Sequence, residues 1–142
     1  MYNILEANEN DFDIIENIGK KSLPIYYDKN DLIMLKYTKH TILKIVTLNT
    51  QIIGYIVIRE TIDNIHILSI AVDTTFRKKG IGSQLLNNIK LKSKNITLFV
   101  HTINNIALDF YKKNNFKIID IMFSYYDNFE SDKDAYKMAF IK

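Results

Sequence analysis

The run Arg77-Lys78-Lys79-Gly80-Ile81-Gly82-Ser83 places three cations and two glycines within seven residues. It follows the apolar stretch Ile70-Ala71-Val72 and Asp73, and precedes a segment with Ile81, Leu85, Leu86 and Ile89 at helical spacing. That order predicts a strand, a turn and the N-terminus of a helix. Unpaired backbone N–H groups converge at such a point, where the helix dipole is positive. Glycines at 80 and 82 let the main chain approach a bulky anion, and the N–H groups form a nest. The chemistry predicted is the cradling of a diphosphate by main-chain donors, with Arg77, Lys78 and Lys79 adding charge. A dinucleotide fingerprint is excluded, because its three-glycine spacing and early position are absent. A Walker loop is excluded too, because no Gly-Lys-Ser/Thr ending is present. The plainer alternative is a glycine turn that opens a surface helix.

Composition narrows the rest. A length of 142 residues suits one domain, here taken as 1–142, and the apolar and charged shares are ordinary for a globular protein. A net charge of +3 argues against nucleic acid as a partner and suits a small polyanion. The absence of cysteine removes disulfides, thiolate nucleophiles and thiolate metal sites. No apolar run approaches the ~18 residues of a membrane span. Met1 to Glu9 carries acids where a secretory signal carries bases, so a cytoplasmic location with no membrane partner is expected.

The elements that must position the cradle follow from periodicity. Met1–Ala7 reads as a strand, and Glu9–Leu23 as a helix capped by Asn8 or Asn10. Pro24 ends it, and Asp28–Tyr37 forms a second helix. Thr41–Leu48 and Ile52–Glu60 form a hairpin about Asn49-Thr50. Asp63-Asn64 turns into a strand at Ile65–Val72, and the helix Gly80–Lys92 follows the cradle. Ile96–Thr102 is a strand, Asn104–Asn114 a helix, Phe116–Tyr125 a strand, Asp127–Lys133 a loop and Asp134–Ile141 the last strand. This mixed order predicts an α/β domain, a sheet flanked by helices.

Arg77-x-x-Gly80-x-Gly82, after a strand ending in Asp73, resembles the acetyl-CoA motif of the GNAT superfamily of N-acetyltransferases, Gln/Arg-x-x-Gly-x-Gly/Ala. Thr74 stands where that family usually has proline. The element order matches along nearly the whole chain, which implies the family's mixed, largely antiparallel sheet and acetyl-CoA as cosubstrate. The resemblance implies that main-chain groups of Ile70, Ala71 and Val72 hold the pantetheine arm. It also implies that the N–H groups from Lys78 to Ser83 hold the pyrophosphate, and that the arm enters where Ile65–Val72 and Ile96–Thr102 part. A second motif, Asn104-x-x-Ala107-x-x-x-Tyr111 with Asn115-Phe116 in place of the family's Gly-Phe, is similar to the family pattern. Asn tolerates the left-handed backbone best after Gly. By this resemblance Asn104 contacts the cofactor, and Tyr111 protonates the leaving thiolate as general acid. Read alone, Asn104 is a helix cap and Tyr111 a core aromatic.

Three segments resemble protein N-terminal acetyltransferases of the NatE and RimI types. Leu23-Pro24-Ile25-Tyr26-Tyr27 resembles a substrate loop, Tyr125-Tyr126 a substrate hairpin, and Asp109-Phe110-Tyr111-Lys112-Lys113 the NatE-type helix. The implied site takes a hydrophobic first side chain against Leu23, Pro24 and Ile25. The hydroxyls of Tyr27, Tyr125 and Tyr126 bond the peptide backbone. The alternative is that these are core or surface aromatics.

The usual base is missing. NatE-type enzymes have His, and RimI-type enzymes Glu, at the position of Phe99, which takes no proton. His66, fourteen positions before Gly80 and at a position catalytic in several relatives, is the expected replacement. His101, on the face of Phe99, is the second choice, and His40 is read as a surface residue. An α-amine has a pKa near 7.7–8.0 against about 10.4 for lysine, so a weak base serves a chain N-terminus more readily. The expected reaction is direct acetyl transfer to the α-amine of a protein or peptide N-terminus, with no metal. An auxiliary subunit is left open. The alternatives are a lysine or small-molecule acetyltransferase, and a non-catalytic acetyl-CoA-binding module.

Overall fold

The computed structural model describes residues 2–126 and 134–142; the expected loop Asp127–Lys133, and Met1 of the expected first strand, lie outside the described residues. Strands β1 (Tyr2–Glu6), β2 (Thr41–Leu48), β3 (Gln51–Glu60), β4 (Asn64–Val72), β5 (Asn95–His101), β6 (Lys117–Met122) and β7 (Ala135–Phe140) form one sheet. Their order is β1-β2-β3-β4-β5-β7-β6. Every neighbouring pair is antiparallel except β4–β5. Helices α1 (Phe12–Ser22), α2 (Lys29–Lys36), α3 (Ile81–Lys90) and α4 (Asn105–Lys113) fill the connections.

Local chemistry explains most boundaries. Asn8 and Asp28 each close a capping box, with Asp11 and Asp31 returning the bond. Asn49 and Thr50 take φ of 49° and 76°, the two positive values that a tight hairpin between twisted strands needs. Asn115 sits at φ 69°, the left-handed conformation expected where the family pattern has glycine. The strand expected over Phe116–Tyr125 ends early. Ser124 turns through φ 56° and its N–H donates to Asp134 Oδ1 at 2.9 Å, which takes Tyr125 and Tyr126 out of the sheet.

Both faces of the central strands are covered. β3 is buried without a break from Ile52 to Ile58, the pattern of a strand with helices on each side. One core cluster joins Ile56, Ile58 and Ile67 to Leu85, Leu86 and Ile89 of α3 and to Leu108 and Tyr111 of α4. The other joins Tyr55, Val57 and Ala71 to Phe12, Ile15 and Ile18 of α1 and to Leu32 of α2. No helix among the described residues is long and apolar enough to cross a membrane.

Candidate active site

The site begins with a defect in strand pairing. β4 and β5 pair only from Asn64 to Ile67 and from Asn95 to Leu98. Beyond that, β4 continues to Val72 against β3, and β5 to His101 against β7. The cause lies in β4: Val57 faces Ser69 and Ile58 faces Ile67, which leaves Leu68 as an extra residue. Such a bulge bends its strand and increases the local twist. The strands therefore part, and a cavity of ≈ 390 Å³ opens between them. Leu68, Ser69 and Ile70 of β4 line its edge, in a stretch that has no β5 partner.

The cradle lies at the end of that edge. Asp73 accepts from Thr75 N–H at 3.0 Å and caps a short 3-10 turn over Thr74–Phe76. Lys78 and Gly80 then take φ of 62° and 78°, and Gly80 becomes the N-cap of α3. No side chain caps this helix, so its first N–H groups are presented outward. A Cβ built on Gly80 meets nothing within 4 Å, which shows open space in front of the helix. Arg77, Lys78 and Lys79 are exposed around it, Ser83 is half-buried, and the Ile81 side chain points into the core. These donors and cations fit a diphosphate.

Gly82 also serves the packing of two helices. A Cβ there would lie 2.9 Å from Cζ and 3.1 Å from Cε1 of Phe110, so its missing side chain lets α3 pack on α4. Gly82→Ala should lower stability by about 1–3 kcal/mol in denaturant unfolding, because a rigid ring must move. Gly80→Ala should cost only about 1 kcal/mol, from backbone strain alone.

The cavity gathers side chains from distant parts of the chain. Leu23, Pro24, Ile25 and Tyr27 come from the α1–α2 connection, and Tyr125 and Tyr126 from the segment after β6. His66 and Ile70 enter from β4, and Asn104 and Tyr111 from α4. Ala71 and Val72 do not line it; their side chains pack in the two cores. Asn104 is both cap and wall: its Oδ1 accepts from Ala107 N–H at 3.1 Å. Tyr111 is likewise both core and wall, stacked edge-on with Phe110 and Phe116.

Burial sets the electrostatics. It raises the Tyr111 hydroxyl far above its usual value, with Tyr126 and Tyr55 adding to the shift, so the proton stays on. Tyr126 is pushed up to about 12, by burial first and then by Tyr125. Tyr27 is raised by burial first and then by Tyr125, which lines the same cavity. His66 is lowered from its ordinary 6.5, first by burial and then by Arg59 and Lys137, so it is neutral at pH 7. Its Nδ1 lies 2.7 Å from Thr97 Oγ1. Phe99 stands edge-on to His66 at 5.3 Å and stacked on Tyr125 at 4.5 Å, an apolar wall with no titratable group of its own. His101 is buried in the same cavity with its ring 4.2 Å from Tyr126. His40 is exposed and does not line the cavity.

Sequence reasoning missed Thr97 and the pair Tyr55–Ser69, whose oxygens lie 2.8 Å apart beside the cavity. Thr97 meets His66 through the β4–β5 register, which no local pattern carries. Among the described residues no group of three or more His, Cys, Asp or Glu is placed to hold a metal ion.

A family profile described as acetyltransferase (GNAT) domain matches residues 39–118. An N-alpha-acetyltransferase of Sulfolobus acidocaldarius is 30% identical across 97% of this chain and 91% of its own length. Among solved structures, Ard1 from Thermoplasma volcanium superposes with a TM-score of 0.85 at 28% identity, over 99% of this chain and 97% of that one. Arabidopsis thaliana Naa50, in complex with the bisubstrate analogue CoA-Ac-MVNAL, superposes at 0.82 with 25% identity over 99% of each chain.

Proposed function

Since the chain belongs to the GNAT acetyltransferase family, we propose that it transfers the acetyl group of acetyl-CoA directly to the α-amine of a protein or peptide N-terminus. One observation carries this reading. A single cavity holds the α1–α2 loop, the Tyr125-Tyr126 segment, His66 and Tyr111 together. Two aromatic-bearing lips above a proton acceptor and a proton donor suit a peptide end. The names of the relatives point the same way. A cytoplasmic setting, where acetyl-CoA and nascent chains meet, goes with it.

Each part has a task in this reading. The N–H groups from Lys78 to Ser83, with the cations of Arg77, Lys78 and Lys79, hold the pyrophosphate. The splayed edge of β4 at Ile70 to Val72 bonds the amide-bearing arm, and Asn104 borders it. When bound, the cosubstrate supplies an acetyl group on a thioester sulfur. Leu23, Pro24 and Ile25 seat a hydrophobic first side chain, while Tyr27, Tyr125 and Tyr126 bond the peptide main chain. His66 takes the amine's proton, and Tyr111 keeps one available for the departing sulfur. The missing carboxylate suits this acceptor: the amine is easier to deprotonate than lysine by about 2.5 units, or ~3.4 kcal/mol.

Thr97 is a positioning residue here. With Nδ1–H donating to Thr97 Oγ1, the lone pair of His66 sits on Nε2. Thr97→Val should reduce kcat about 5–10-fold, the equivalent of one hydrogen bond of ~1–1.4 kcal/mol, with Thr97→Ser restoring it.

Free-thiol release on short peptides of varied first residue tests the whole reading. Turnover that rises with a hydrophobic first residue supports it. Cofactor binding with no turnover on any peptide overturns it in favour of a binding module.

A further inference from the structure

We propose that Arg59 and Lys137 form a cationic rim over the acceptor site and select peptides that carry an acidic side chain within their first few residues. The inference rests on the peptide-acceptor reading above and narrows its substrate class.

Strand register supplies the geometry. Arg59 of β3 is directly opposite His66 of β4, and Lys137 of β7 is directly opposite Phe99 of β5. Opposed residues share a sheet face. His66 and Thr97 are in turn opposed, and Phe99 lies two residues beyond Thr97 on the same face. Both cations therefore stand on the face that bears His66 and Phe99, one on each flank. Arg59 is exposed and Lys137 half-buried. Arg59 also acts electrostatically on Tyr27, a residue of the cavity lining.

Neither cation forms an ion pair among the described residues. Asp120 is opposite Lys137 in the β6–β7 register, where its Oδ1 accepts from Ile121 N–H at 2.8 Å and makes no ion pair with Lys137. Asp31, the acid that acts on Tyr27, is engaged in the α2 capping box, where it accepts from Asp28 N–H at 3.1 Å. The charges that shift His66 are the two cations.

Such a field has two consequences for an acceptor. It favours the neutral amine over the ammonium, which the reaction needs, and it repels the ammonium form in which most N-termini arrive. A carboxylate close behind the amine offsets that repulsion and steers the encounter. Arg adds a planar fork that matches a carboxylate. The span is compatible: peptide residues advance ~3.4 Å each, and neighbouring strands lie ~4.8 Å apart. A second or third residue reaches from the cavity to the rim.

The experiment compares kcat/KM for two peptides that differ only by Glu or Gln at the second and third positions. The wild-type protein and the double variant Arg59→Gln/Lys137→Gln are measured at low and high salt. The expected wild-type preference for the acidic peptide is about 10-fold or more at low salt, weaker at high salt, and near 1 in the double variant. Turnover of the neutral peptide by the variant reports that it is folded. Equal turnover of both peptides by the wild type, or an unchanged ratio in the variant, overturns the rim. Turnover of neither peptide overturns the peptide reading itself and the rim with it.

Discussion

Tyr111→Phe should lower kcat by roughly 10²–10³-fold while acetyl-CoA affinity moves by less than about 2-fold. The hydroxyl is the only group removed. The ring keeps its edge-on contacts with Phe110 and Phe116, so the core is retained. The proton lost in this variant is one that burial holds on the oxygen across the working pH range. Stopped-flow or steady-state thiol release, paired with calorimetric cofactor binding, separates the two effects. A Tyr111 that served only as a core aromatic would leave kcat unchanged and shift stability alone.

The second large effect belongs to His66. His66→Gln should reduce kcat by about 10²–10³-fold, since Gln keeps a polar shape beside Thr97 but takes no proton. The pH profile carries the sign. Burial, Arg59 and Lys137 lower the imidazole below 6.5, so it is a competent base at neutral pH. As pH falls through that depressed value the ring gains a proton and the base is lost. The acidic limb of wild-type kcat should therefore lie below pH 6.5 and disappear in the variant. The ionisation of the free amine, near 7.7–8.0, should remain in kcat/KM for both proteins. A variant that keeps wild-type kcat would shift the proton to His101, in the same cavity, or to water.

Much of this was legible because it is written in short-range chemistry. The cap at Asn8, the Asn49-Thr50 hairpin and the left-handed Asn115 are local rules, and each is realised. The cradle before α3 follows from glycines, cations and a helix start within one segment. The illegible features depend on what faces what across the fold. Leu68 carries no bulge signal of its own; the extra residue exists only relative to β3. Thr97 meets His66 through a parallel register that a sequence does not display. The contact of Gly82 with Phe110 of α4 is likewise invisible in the segment itself. The cations Arg59 and Lys137 are separated by 78 residues of sequence (137 minus 59) and brought to one face only by the sheet. The end of β6 at Met122 depends on a bond from Ser124 to Asp134, across a segment no periodicity defines.

The most direct test uses one peptide with a hydrophobic first residue, a free α-amine and an internal lysine. It is incubated with acetyl-CoA and the protein, and the added acetyl group is located by fragmentation mass spectrometry. The expected result is one acetyl group on the first residue and no turnover of the twin whose α-amine is blocked. Acetyl found on the lysine side chain, with turnover surviving the block, would contradict it.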